Sequence, residues 1–214
     1  MTRHLVSGLS LVCGLFYAHP VGAQLLGGKG DAIFSAERLF GVRGEHWHEE
    51  PPLPAPEVDV TDTVIAFGYA NTALPYNIPR LAFDYMVIDK LSVGGALGVS
   101  LADASSSGGA VGSPTTFLIA PRIGFLHMFG RVAGIWLRGG FMYHSAKMES
   151  QYKESGFGFN AEGMFPIVVA PHFGFEIGVA FDQSLGAERD PDNGVAYDVN
   201  YRSIGLQVGL FGWI

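Results

Sequence analysis

Between Thr115 and Ser145 the chain writes one pattern twice. Phe117, Ile119, Ile123 and Phe125 fall on every second position, with Thr116, Ala120, Arg122 and Gly124 between them. After a turn at Phe129-Gly130, Ala133, Ile135, Leu137, Phe141 and Tyr143 alternate with Gly134, Trp136, Arg138, Gly140 and His144. A period of two means strand, with one apolar face and one small or charged face. Each run exceeds the usual five or six residues of a strand in a soluble protein. Strands that are long, apolar on one side and charged on the other fit a membrane barrel better than a soluble core. No stretch after residue 20 has the ~18 uninterrupted apolar residues of a spanning helix. A membrane chain without such helices must close into a barrel, because every backbone donor and acceptor in lipid needs an internal partner.

The hairpin recurs along the chain. Further strands are expected at Ile33–Arg43, Ile78–Ile88, Leu91–Ala102, Gly156–Val168, His172–Gln183 and Asn200–Trp213, which makes eight. The connections alternate in length. Those near Asp89, Phe129-Gly130 and Ala170-Pro171 are short. The insert 44–77, the Ser/Gly tract 103–114, the polar stretch 146–155 and the turn-rich stretch 185–199 are long. Short turns at one end and long loops at the other, with an even strand count, is the layout of outer-membrane barrels. In each tight hairpin the apolar positions are odd-numbered on both strands. Facing residues must then sum to an even number, and each turn must hold an odd number of residues, three or five, with bulges expected. The piece Thr63–Tyr69 alternates weakly and is expected to be a loop hairpin or an upward extension of a barrel strand, not a ninth member of the ring.

The first 23 residues have the layout of a secretory signal peptide: Arg3 and His4, the apolar run Leu5–Phe16, and Val21-Gly22-Ala23 before Gln24. Cys13 lies inside that run, so the remaining chain 24–214 has no cysteine and no disulfide to stabilise it. Their removal takes one of 13 basic and none of 20 acidic residues, and moves the net charge from −7 to −8. A chain of that charge is a poor partner for nucleic acid.

On pattern, residues 31–214 resemble the small eight-stranded outer-membrane barrels, the class of the outer-membrane protein A transmembrane domain. The resemblance implies an all-β, antiparallel, up-and-down transmembrane barrel in the outer membrane of a Gram-negative-type cell. It implies lipids as the surroundings and the barrel-assembly machinery, reading the C-terminal strand, as a partner. Members end on an aromatic residue; here Phe211 and Trp213 precede a final Ile214. The class carries no enzymatic residues onto this chain, and neither a cofactor nor an oligomer is expected.

The inward parity collects Glu37, Arg43, Arg80, Asp84, Arg122, Arg138, Glu162, Glu176 and Asp182. An eight-stranded barrel is filled by side chains, and unpaired buried charge is very costly. These residues are therefore expected to pair into a plug that closes the lumen; rearranging pairs would instead give a narrow gated pore. Trp136 shares the inward parity and reads as lumen packing, whereas aromatic residues such as Tyr76, Tyr201 and Trp213 cluster toward strand ends, where outward ones form interface girdles. His46 and His48 have an H-x-H spacing that could hold a metal, although a solvated acidic loop explains them equally simply. His144, Ser145 and Glu149 invite comparison with lipid-modifying barrel enzymes, but neighbours on a strand point to opposite faces. Asp190, Asp192 and Asn193 resemble a calcium loop without its downstream bidentate Glu. The expected role is non-catalytic, structural or surface-interacting. The alternatives are the pore, a lipid-modifying enzyme, and a soluble lipocalin-like binder, which would need the reverse distribution of charge.

Overall fold

The computed structural model describes residues 26–67, 75–101, 115–148, 151–192 and 194–214. Residues 1–25, which include the expected signal peptide, residues 68–74, residues 102–114 with the whole Ser/Gly tract, residues 149–150 and Asn193 lie outside the described residues. Nine antiparallel strands are present among those described: β1 Ala32–Glu49, β2 Val58–Phe67, β3 Arg80–Ile88, β4 Leu91–Ser100, β5 Thr115–Met128, β6 Gly134–Met148, β7 Tyr152–Ala170, β8 Phe173–Pro191 and β9 Tyr197–Trp213. A 3-10 turn, Pro75–Asn77, precedes β3. β1 and β3 to β9 form a ring of eight, closed by β9 pairing with β1. Closure gives the strands partners on both sides and removes the edges that lipid cannot satisfy.

Alternation decides which side of the wall each residue faces. Phe34, Leu81, Ile123, Phe141, Phe157 and Leu206 are among the many large apolar side chains on the outside. The buried positions include Glu37, Arg80, Arg122, Arg138, Glu162 and Glu176. Charge inside and apolar surface outside is the reverse of a soluble barrel, and the apolar outer band is explained by lipid as its solvent.

The tight turns obey the even-sum rule, though only one has the expected length. Between β5 and β6 the last pair is Met128↔Gly134, with Phe129–Ala133 looping between them and the Phe129 N–H donating to the Ala133 carbonyl at 2.7 Å. The other two hairpins use two-residue turns, Asp89-Lys90 and Pro171-His172, each beside a register shift in the strand before it. The bulge restores parity: Met86↔Ser92 and Val168↔Gly174 are the last regular pairs. Lys90 and His172 adopt left-handed φ of 69° and 63° to make these turns.

The upper ends of the strands differ from the sequence reading. β7 and β8 each run 19 residues, well past the ~9–11 that cross a bilayer. The stretches 146–155 and 185–199, expected as loops, are largely strand. They lack the apolar outward face that marks a lipid crossing, so polarity disguises them. An extra residue at Leu185 also switches the parity of β8, since Gly158 pairs with Ser184 but Phe157 with Gly186. The insert 44–77 is also not all loop: β1 continues to Glu49, and β2 pairs back along Phe40–Glu49. The weak alternation that begins at Thr63 therefore belongs to a hairpin that extends a barrel strand upward. β3 pairs with β1 only below it, from Ala32 to Glu37.

Candidate functional site

The interior is layered. At the end of the tight turns Ile33, Met86, Leu126, Trp136, Met164 and Phe211 form an apolar floor. Leu26 joins this layer from the segment before β1, which is held by Gly27 and Gly28 N–H groups donating to Asp31 and by the Gly30 N–H donating to the Met86 carbonyl. Above the charged layer Tyr76, Ile78, Leu118, Met142, Val199 and Tyr201 form a second apolar layer.

The charged layer gathers all nine residues selected by inward parity, each 4 % exposed or less. Arg122 donates to Glu37 at 2.7 and 2.9 Å and to Asp84 at 2.5 and 3.2 Å. Arg138 reaches Glu37 and Glu162 at 2.9 Å and Glu176 at 3.0 Å. Arg43 and Arg80 each lie 3.7 Å from Asp182. The centre of the second half is a residue that parity misses. Arg38 donates to Asp182 at 2.7 and 2.9 Å and to Glu162 at 3.3 Å. It sits in a register shift between Ala36 and Phe40, at φ 59°, so Glu37 and Arg38 both turn inward. A bulge places one extra residue against the partner strand. Glu and Arg adjacent within an otherwise alternating strand are the signal the sequence offers for it.

Five arginines thus meet five carboxylates, Glu37, Asp84, Glu162, Glu176 and Asp182, in one connected set joined through Arg138 and Glu162. Six ring strands supply these charges, and β9 adds Gln207, which accepts from Arg43 at 2.9 Å. Glycines make the room. Arg122 is flanked in the ladders by Gly94 on β4 and Gly140 on β6. A Cβ at Gly94 would lie 2.6 Å from Asp84 Oδ1, and one at Gly140 would collide with the Pro121 carbonyl oxygen and lie 2.7 Å from Arg122 Cα. Arg43, Arg80 and Arg138 likewise face Gly205, Gly98 and Gly124. The high glycine content, 30 residues, has here a packing reason.

The 3-10 turn Pro75–Asn77 folds into the lumen. The Tyr76 carbonyl accepts from Arg38 at 2.5 Å and Arg80 at 2.8 Å. Asn77 accepts from Arg43 at 2.7 Å and Ser203 at 3.2 Å, and its amide donates to Glu45. The sequence alone does not separate this segment from the rest of the insert, because its polar atoms carry no periodic pattern.

Near the loop end a second cluster forms. Glu154 binds His144 Nε2 at 3.0 Å and accepts from Tyr201 at 2.6 Å and from Arg189 at 2.9 Å. Arg189 also donates to Glu49 at 2.6 Å. The Leu185 bulge brings Arg189 inside. Ser145 faces away from His144, so that pair shares no proton; Glu149 is outside the described residues. No hydroxyl nucleophile is hydrogen-bonded to His144 among the described residues. His46 contacts Thr61 at 3.2 Å and Asp59 at 3.4 Å, and His48 contacts Glu50 at 3.3 Å. Among the described residues no group of three such side chains could hold a metal ion. Trp136 packs in the floor beneath Arg138, whose guanidinium lies 4.5 Å from its ring. Tyr76, Tyr201 and Trp213 also point inward, so they are not interface girdles.

No protein-family model matches the chain, and no curated protein matches its sequence. Solved structures do. The outer membrane protein AlkL, determined in lipid bilayers, is 13% identical with a TM-score of 0.56, over 92% of this chain and 96% of that one. The outer membrane protein OprG from Pseudomonas aeruginosa is 14% identical with a TM-score of 0.55, over 88% of this chain and 99% of that one. What the chain shares with them is architecture: its fold is that of the small eight-stranded outer-membrane β-barrels.

Proposed function

We propose that this outer-membrane barrel is a closed, non-catalytic membrane protein that works through its surfaces and not through a central pore. The observation that carries this reading is the connected five-by-five charge layer between two apolar layers, with the Pro75–Asn77 turn inserted above it. Ions crossing the lumen would have to displace paired, buried charges, and breaking one such pair costs about 3–5 kcal/mol. The loop end, by contrast, offers exposed surface. There Glu50, Glu188, Tyr197 and Asp198 line a cavity of about 310 Å³.

A second reading, a narrow gated pore, draws on one observation. Both amide atoms of Asn160, and Nε and Nη1 of Arg80, are buried without a partner among the described residues. Unused donors let ion pairs exchange. Planar bilayers separate the two. The closed reading expects no discrete conductance steps from the wild type. It also expects none from Arg138→Ala, because the floor and the inserted turn remain. Steps in the wild type would replace it with the pore reading.

A further inference from the structure

The outer wall carries a feature that the interior does not explain. On the seam between β6 and β7 four outward-facing pairs are stacked: Phe141↔Phe159, Tyr143↔Phe157, Ser145↔Ser155 and Lys147↔Lys153. The Tyr143 and Phe157 rings are 5.1 Å apart. The column runs from bulk apolar, through aromatic and hydroxyl, to cationic within one seam.

Its height fits a lipid headgroup. The apolar outward run on β6 extends from Ile135 to Tyr143, about the ~9–11 residues needed to cross. The serines and lysines follow just above. Like charges directly opposite on neighbouring strands are destabilising, yet two of the chain's four lysines are placed so. Neither ammonium is in an ion pair among the described residues, although Asp190 lies opposite Lys153 on the β8 side. Thr115 lies opposite Lys147 on β5. The remaining outward cation at this end, Arg202, is engaged by Gln183 at 2.9 Å. Asp190 and Glu188, opposite Lys153 and Ser155, put carboxylates on the β8 side only, and an anion from outside the protein would relieve the repulsion at Lys147. The two serines keep the space below the ammonium groups small and polar, and Phe157 and Phe141, 63 % and 68 % exposed, offer a track for acyl chains.

We propose that this seam is a binding site for the phosphate headgroup of an anionic membrane lipid in the leaflet on the loop side. Lys147 and Lys153 hold the phosphate, the Ser145 and Ser155 hydroxyls donate from below, and the acyl chains lie along Phe157 and Phe141. The proposal rests on the reading that the apolar outer band spans the bilayer, but not on whether the lumen is closed.

The test uses the full mature chain folded into phosphatidylcholine vesicles, alone or containing phosphatidic acid or the matching diacylglycerol, which lacks the phosphate. Urea-unfolding midpoints are read in each. In phosphatidylcholine alone, Lys147→Gln should raise the midpoint by removing the repulsion. Phosphatidic acid should raise the wild-type midpoint, and diacylglycerol should not. Lys147→Gln and, independently, Lys153→Gln should lose most of that rise. Lys29→Gln, at the opposite end, should keep it. No rise in the wild type, an equal rise with diacylglycerol, or an undiminished rise in both lysine variants would overturn the site. Conductance does not enter, so a pore-forming barrel could still pass this test.

Discussion

Of the three non-glycine residues with a left-handed backbone, Lys90 and Arg38 hold it for different reasons. Lys90 does so because the Asp89-Lys90 turn demands it, and its side chain makes no ion pair among the described residues. A side chain at positive φ costs roughly 1–2 kcal/mol, which glycine avoids. Lys90→Gly should therefore raise barrel stability by about 1 kcal/mol, measured as a higher urea midpoint in neutral bilayers. Arg38 carries the same strain but in the service of the network, where it binds Asp182 and Glu162. Arg38→Gly relieves the backbone and leaves Asp182 short of its closest cation. It should destabilise by several kcal/mol, on the order of the 3–5 kcal/mol for breaking a buried pair. Opposite signs for the same backbone change would separate turn strain from bulge strain. An equal effect at both sites would show that Arg38 contributes no more than Lys90.

At the scale of strands and hairpins, parity is what the sequence makes most legible. The face assignments of Phe117, Ile123, Leu137 and Phe141 and of Arg122 and Arg138 follow from period two, and the structure places them outside and inside respectively. Parity also constrains the turns, and the bulges beside Asp89-Lys90 and Pro171-His172 are how a two-residue turn meets an odd requirement. It fails wherever one residue is added within a strand. The bulge after Ala36 hides Arg38, and the one at Leu185 hides Arg189. Strand ends above the bilayer look like loops in the sequence because water, not lipid, bathes the outer face there and no apolar pattern is required. Glycines and arginines are both visible in the sequence, but only the ladder pairs them and gives the glycines their purpose. Gly140→Ala should cost about 1–3 kcal/mol, the scale of overpacking, by forcing the β5 backbone at Pro121 and Arg122 away from β6. Ser145→Ala, on the same strand but outward, should leave stability in neutral bilayers unchanged. A harmless Gly140→Ala would mean the ladder relaxes to admit the methyl group.

For the whole barrel, the interior charges behave as one object. Arg138 touches Glu37, Glu162 and Glu176 at once, so single removals strand several partners. Arg138→Met and Glu176→Gln should each destabilise. The double variant should lose less than the two effects added together, because groups in one network couple by about 0.5–3 kcal/mol. Simple additivity in a double-mutant cycle would deny that the pair acts within a network.

The charge layer also has a history in time. Its bonds join residues far apart in the chain: Arg38 and Asp182 are separated by 144 positions, and Arg138 and Glu37 by 101. Loop closure must be completed before such contacts reward it. A half-zipped sheet therefore carries its arginines and carboxylates without most of their partners. Those charges cannot face lipid while the ring is open. Assembly of this barrel should then be close to all-or-none at the last step, with β9 meeting β1 and Arg38 meeting Asp182 as a single event. The charge layer that fills the finished lumen would then also set the slowest moment of its making.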